Sequence, residues 1–200
     1  MIKMKKSLLS IVAISTLFVV IGCTEKGEEE SHVKVNFVNN SEIQNKGMAQ
    51  IKGILMKLKP TIKSSLKEDK TGLVGVEMCS TSAIEMGKAY NATLPTDSSI
   101  RRTALKYRNP NNKPDATDIA VMKKFIESKD FKKPLVVEMD DSFRVYKALP
   151  IIQPCLACHG AKKDMNAKTV EMIEKKYPHD LAIDFKLGEL RGVVISNIKK

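Results

Sequence analysis

Cys155-Leu156-Ala157-Cys158-His159 constrains this chain more than any other stretch. It reads C-x-x-C-H, the pattern in which two thiols form thioethers to the vinyl groups of a haem and the adjacent imidazole ligates the iron. One turn of helix sets both sulfurs at one edge of a porphyrin and carries the histidine to its face. With only four cysteines and three histidines in 200 residues, chance is a poor source of this spacing. A zinc cage would need a second Cys/His pair at ligand spacing, and the remaining residues of those types, Cys23, Cys79, His32 and His179, supply none. The expected cofactor is one covalent haem c.

A covalent haem presupposes an exported chain, and the N-terminus has the pattern of one. Lys3, Lys5 and Lys6 form a basic region, Leu8 to Ile21 is almost uninterruptedly apolar, and Val20-Ile21-Gly22-Cys23 follows. That stretch is short for a transmembrane helix and has signal-peptide flanks. Residues 1–22 are therefore read as a lipoprotein signal peptide, because the last four residues resemble the bacterial lipobox, with Cys23 accepting the lipid. An uncleaved N-terminal anchor is the alternative. Either way the chain is tethered from the periplasmic or other extracytoplasmic side of a bacterial membrane. Residues 23–40, which include the acidic run Thr24–Ser31, read as lipid anchor and flexible linker. Residues 41–200 read as one haem domain, long enough to enclose the cofactor.

Cysteine usage then leaves one thiol over. Four cysteines in an exported protein would ordinarily suggest two disulfides, but Cys23 goes to lipid and Cys155 and Cys158 to haem. Cys79 alone lacks an assignment. The formal net charge of +11 offers a surface for acidic redox partners or anionic head groups, unless the lysines simply solvate helix faces. Nucleic acid is not an expected partner outside the cell.

Apolar residues at three- and four-residue steps (Ile51, Ile54, Leu55, Leu58, Ile62, Leu66) predict a helix from Ser41 that Pro60 kinks or divides. A second helix spans 71–90, with Val76, Cys79, Ala83, Met86 and Tyr90 on its inward stripe. Residues 100–106 alternate as a strand, and Asn109–Pro114 is a loop. Asp115 caps a short helix bearing Ile119, Met122 and Ile126. Residues 135–139 and 143–149 alternate around Asp140-Asp141-Ser142 and predict a hairpin leading into the haem motif. Asn166 opens a helix that buries Val170 and Ile173, and residues 191–198 form a last strand. The order points to an α+β domain with an antiparallel sheet. Small c-type cytochromes are mostly helical with the motif near the N-terminus, and bundle cytochromes carry it in the final helix, so neither pattern fits.

His159 is the expected proximal ligand. The opposite position has four candidates on residue type alone: Cys79, His179, a methionine, or an open site. A thiolate would depress the potential and a methionine raise it.

Several blocks resemble the family of exported c-type haem domains with a PAS-like fold. These are Cys79 on its helix, Arg102-Thr103-Ala104-Leu105-Lys106-Tyr107-Arg108-Asn109-Pro110-Asn111-Asn112-Lys113-Pro114-Asp115, Cys155 to Gly160, Tyr177-Pro178-His179-Asp180 and Gly188-Glu189-Leu190-Arg191-Gly192. The resemblance implies a PAS-like antiparallel sheet flanked by long N-terminal helices, and a haem ligated by His159 and Cys79. One departure stands out: the family follows its Tyr-Pro-x-Asp with alanine and glycine, whereas Leu181-Ala182-Ile183-Asp184 has no glycine. Arg102, Arg108 and Arg191 are candidates to pair with haem propionates, since guanidinium matches carboxylate in a two-pronged geometry. Fold-stabilising ion pairs are their plain alternative.

Two functions compete. A redox or small-ligand sensor would change ligation on reduction or on binding a gas such as CO or NO, and would need a signalling partner protein. An electron-transfer lipoprotein would keep both ligands and dock acidic redox partners. Catalysis would require an open iron and a distal acid–base residue, for which only His32 and His179 are spare, so an enzyme is not expected.

Overall fold

The computed structural model describes residues 33–200. The expected signal peptide, lipid-bearing Cys23 and acidic spacer lie outside the described residues, as does His32. Among the described residues, no helix is long and apolar enough to cross a membrane.

Eleven elements follow in order: β1 (Asn36–Phe37), α1 (Ser41–Glu68), α2 (Leu73–Ser80), α3 (Ser82–Asn91), β2 (Ser98–Thr103), α4 (Ala116–Ser128), β3 (Leu135–Glu138), β4 (Ser142–Pro150), α5 (Leu156–His159), α6 (Ala167–Lys176) and β5 (Leu190–Lys199). The five strands form one antiparallel sheet in the order β1-β3-β4-β5-β2. The domain is therefore α+β, as the element order predicts. Strand β1 is a short edge that pairs with β3, so the segment expected as linker up to residue 40 already contributes to the sheet.

Period-two alternation divides the sheet residues between two cores. Val136, Val145, Val194 and Ile198 face α1–α3, where Ile51, Ile54 and Leu58 of α1 and Ala83 of α3 pack on them. Val137, Tyr146, Val193 and Ile195 face α4, with Val121, Met122 and Phe125 opposite. Each such aliphatic side chain, fully removed from water, contributes about 1.5–3 kcal/mol before the entropy of ordering the chain is subtracted.

Helix α1 runs through Pro60 without dividing. The proline removes the hydrogen bond to the carbonyl of Met56, but Met56 is on the exposed side, where water can accept that role. The expected single helix over 71–90 is instead two, broken at Thr81 (φ −125°, ψ −81°). Ser80 and Thr81 hydroxyls both donate to the Glu77 carbonyl, at 2.9 and 2.8 Å, and side-chain donors of this kind compete with the helical ladder. Other local signals coincide with the structure. Asp115 and Asp118 form a capping box on α4, and Asn166 caps α6.

Candidate functional site

The C-x-x-C-H stretch leaves β4 through Ile151 and a 3-10 turn at Gln153–Cys155, then forms the single turn α5. Such a short helix cannot hold itself, and it is stitched to two other segments. Asp184 N–H donates to the Gly160 carbonyl and Phe185 N–H to the His159 carbonyl, each at 3.0 Å. On the other side, the Cys158 thiol donates to the Gly72 carbonyl at 3.4 Å. Gly72 has φ +91°, and a Cβ there would sit 2.8 Å from Cys158 Sγ. Glycine thus serves both the left-handed turn into α2 and the close approach of the motif.

Asp184 itself takes φ +59°. That is the conformation a glycine would adopt without strain, and aspartate is among the few side chains that tolerate it. The chain therefore makes the turn without the glycine its resemblance leads one to expect.

His159 is held as a neutral ring in one tautomer. Its Nδ1 is 2.8 Å from the Ala182 carbonyl, which requires a proton on that nitrogen and leaves Nε2 with a lone pair to offer as acceptor or ligand. Burial, with Arg191 and Arg108 nearby, holds the imidazole well below its usual basicity. Phe185 packs edge-on against the ring, with centroids 6.2 Å apart. A neutral imidazole whose far nitrogen is pinned by a carbonyl is the arrangement an iron ligand requires.

Cys79 ends α2. It is open to solvent by surface area and yet densely surrounded by protein, which is the position of a side chain lining a cleft. The predicted inward stripe correctly buries Val76 and Ala83, but the break at Thr81 leaves Cys79 at the helix end instead of in the core. Burial raises its thiol, and Arg102, Arg108 and Arg191 oppose that rise. Cys158 is pushed up to about 11 by burial, against Arg108, and senses both Cys79 and Cys155. Tyr177 is likewise raised, by burial and then by Cys79. The three cysteines, the three arginines and Tyr177 thus belong to one electrostatic neighbourhood.

The arginines differ in what they hold. Arg108 donates to the carbonyls of Cys158 (2.6 Å) and Ala182 (3.1 Å) and lies 3.0 Å from Asp180 Oδ2. That Nη2–Oδ2 ion pair has the distance but not the alignment of a hydrogen bond, so Asp180 Oδ2 is buried without a hydrogen-bond partner, and Arg108 Nε is likewise buried without one. Arg191 donates to the Lys106 carbonyl at 3.0 Å and, through Nε, to His159 Nε2 at 3.4 Å, and it has no ion pair among the described residues. Burial and then Arg108 push its guanidinium down to about 10. Arg102 has neither hydrogen bond nor ion pair among the described residues.

A bulge aims Arg191. Leu149 pairs with Gly192, but Pro150 pairs with Leu190, so Arg191 is the extra residue and turns out of the ladder. Gly192 is required beside it, because a Cβ would lie 2.5 Å from the Thr103 carbonyl oxygen. Nothing in the alternation of residues 191–198 signals this bulge, although Arg-Gly at a strand entry is compatible with one.

Two thiols one helical turn apart, a neutral imidazole whose Nε2 lone pair meets only the Arg191 Nε–H at 3.4 Å, a third thiol, and guanidinium groups of Arg102 and Arg191 without carboxylates among the described residues fit an iron porphyrin carrying two propionates. Among the described residues no group of three or more His, Cys, Asp or Glu side chains gathers as for a metal ion alone. His179 is exposed.

Residues 25–198 match the model of the Tll0287-like family. The chain belongs to that family. Its fold is similar to the crystal structure of the cyanobacterial heme-protein Tll0287, with a TM-score of 0.63 and 25% identity, over 82% of this chain and 98% of that one. No curated protein matches this Tll0287-like chain.

Proposed function

We propose that this chain is a c-type haem protein, tethered through a lipid on Cys23 to the extracytoplasmic face of a bacterial membrane, that senses redox state or a small ligand by changing ligation at Cys79. Haem binding is supported by similarity to a heme-protein across nearly the whole domain. Cys155 and Cys158 would carry the thioether bonds, His159 one axial position and Cys79 the other. When bound, the haem supplies a one-electron couple and an axial site that a small molecule can occupy.

The observation that carries the sensing role is the setting of Cys79. Burial favours its thiol, and three arginines oppose this by favouring the thiolate, so the group is subject to opposing influences on whether it is a weak or a strong ligand. Its position at a helix end, open to solvent, gives an incoming ligand or proton a route to the sulfur. His159 provides the fixed side, locked by Ala182 and Phe185. Arg102 and Arg191 would receive the propionates, with Arg108 holding the motif to the Asp180 loop.

Electron transfer is the second reading. Ile152 and Leu187 are 57% and 62% exposed beside the motif, and their neighbours are hydrogen-bonded through Gly188 N–H to the Ile151 carbonyl. An apolar contact of this kind next to a haem edge suits a docked redox partner.

Optical and EPR spectra of the haem-loaded chain and of Cys79→Ala, in both oxidation states, separate the readings. Sensing predicts a low-spin thiolate signature in the oxidised parent that Cys79→Ala abolishes, together with CO or NO binding by the reduced parent. A reduced parent that keeps its low-spin spectrum and ignores both gases would leave electron transfer. Spectra unchanged by the substitution would remove Cys79 from the iron altogether.

A further inference from the structure

Away from the haem motif, α1 carries an apolar trough whose floor continues into the core, on which Met48 and Leu55 pack. Met48, Leu55, Met56 and Pro60 line an open trough of about 590 Å³ along α1, at its border with Lys147 of β4 and over the buried Ile51. Met56 is 66% exposed. Lys52, Lys59 and Lys147 stand around this apolar floor. Lys147 is anchored by donating to the carbonyls of Phe131 and Lys132, each at 2.8 Å. Asp130 is the carboxylate that reaches it, and Lys59 the cation.

The charge of the helix has one sign over its centre. Lys46, Lys52, Lys57, Lys59, Lys63 and Lys67 lie along α1, and its acids are Glu42 in the first turn and Glu68 at the last position. Among the described residues, only Lys46 of these six lysines makes an ion pair, with Asp97. Lys52, Met56, Lys59 and Lys63 follow each other at four- and three-residue steps and so share one stripe. A cationic rim about an apolar floor complements a surface that is anionic outside and apolar beneath. The expected lipid on Cys23 would also bring such a surface within reach, because only a short segment separates it from β1 and α1.

We propose that the outer face of α1 docks on an anionic bilayer surface, with Met56 and Pro60 at the depth of the acyl boundary and Lys52, Lys59 and Lys63 among the head groups. This rests on the reading that the chain is membrane-tethered, and it adds a fixed orientation to that tether. The partner is a bilayer rather than a single lipid, since the trough is open along the helix instead of enclosed.

The full chain is incorporated into phosphatidylcholine vesicles, with and without phosphatidylglycerol, and treated with chloramine-T, a water-soluble methionine oxidant. Mass spectrometry then follows oxidation of Met56 against Met165, which lies beside Ala157 and away from the trough. Docking predicts that phosphatidylglycerol slows Met56 oxidation roughly fivefold or more while leaving Met165 unchanged. Lys52→Glu with Lys59→Glu, or roughly 1 M salt, restores the rate. Chain that floats with both vesicles but shows equal Met56 oxidation on each overturns the docking and leaves the tether. Chain that floats with neither overturns tether and docking together.

Discussion

Arg101 and Arg102 are neighbours on β2, and the pleat sends them to opposite faces of the sheet with opposite outcomes. On the α4 face, Arg101 forms a two-pronged pair with Asp118, with Nη2–Oδ1 and Nη1–Oδ2 both 2.8 Å. Arg144 joins from β4, 2.6 Å from Asp115, and Tyr146 donates its hydroxyl to Asp118 at 2.9 Å. Burial, then Asp118, raises the phenol, so Tyr146 remains the donor. Every oxygen of the fully buried Asp118 carboxylate is engaged. Away from that face, and among the described residues, Arg102 meets no carboxylate, Arg191 meets none, and Arg108 shares Asp180 imperfectly. A fold needs the first arrangement to be stable. The second leaves positive charge that the proposed propionates would balance.

The largest test of this contrast is Asp118→Ala. It strips Arg101, Arg144 and Tyr146 of their shared partner, and removing one member of a buried charge cluster costs about 3–5 kcal/mol. Urea unfolding of the haem-loaded chain should show that loss. A cost below about 1 kcal/mol would mean that the α4 face is no better compensated than the other.

Arg191→Gln probes the cofactor face and predicts a change of sign. Without haem, the substitution removes a buried guanidinium that lacks a carboxylate, while glutamine can still donate to Lys106, so the chain should gain about 1–2 kcal/mol. With haem, it deletes a charge-assisted pair and should cost a similar amount. Urea midpoints of both forms are the measurement. The same sign in both would show that Arg191 serves the fold and not the ligand.

What the sequence disclosed follows the range of the forces involved. C-x-x-C-H, the Asp115 and Asn166 caps, the hairpin around Asp140-Asp141 and the alternating last strand are local patterns, and each is where it was expected. The Arg191 bulge, the Asp118 network and the β1 pairing depend on residues far apart in sequence, so no window contains them. Pro60 misleads in the other direction. Its local penalty is real, but Ile54 and Leu58 bury on the same helix, and packing outweighs one lost hydrogen bond. The Thr81 break was present in Ser80-Thr81-Ser82, a run of hydroxyls able to take helical carbonyls, but a continuous apolar stripe across it concealed the signal. Cys79, expected on the inward stripe, is therefore exposed.

The smallest effect concerns acid and the carboxylate that Arg144 and Arg101 share on the α4 face. Burial alone would push the Asp115 carboxyl up, but the Asp118 N–H at 2.8 Å, then Arg144 and Arg101, outweigh it and hold it below its usual value. A carboxyl depressed in the folded state stabilises above its unfolded value, about 3.9, and that contribution disappears as pH falls through the lower folded value. Asp115 is 46% exposed, so solvent screening keeps the effect under about 1 kcal/mol. Asp115→Asn isolates the charge, since asparagine caps a helix as well as aspartate does. Between about pH 5 and pH 3 the parent should lose more urea stability than the variant, and above pH 5 the gap between them should be constant. Parallel curves across the whole range would show that Asp115 acts on α4 through its hydrogen bond alone, leaving Asp118 as the single charge that holds Arg101 and Arg144.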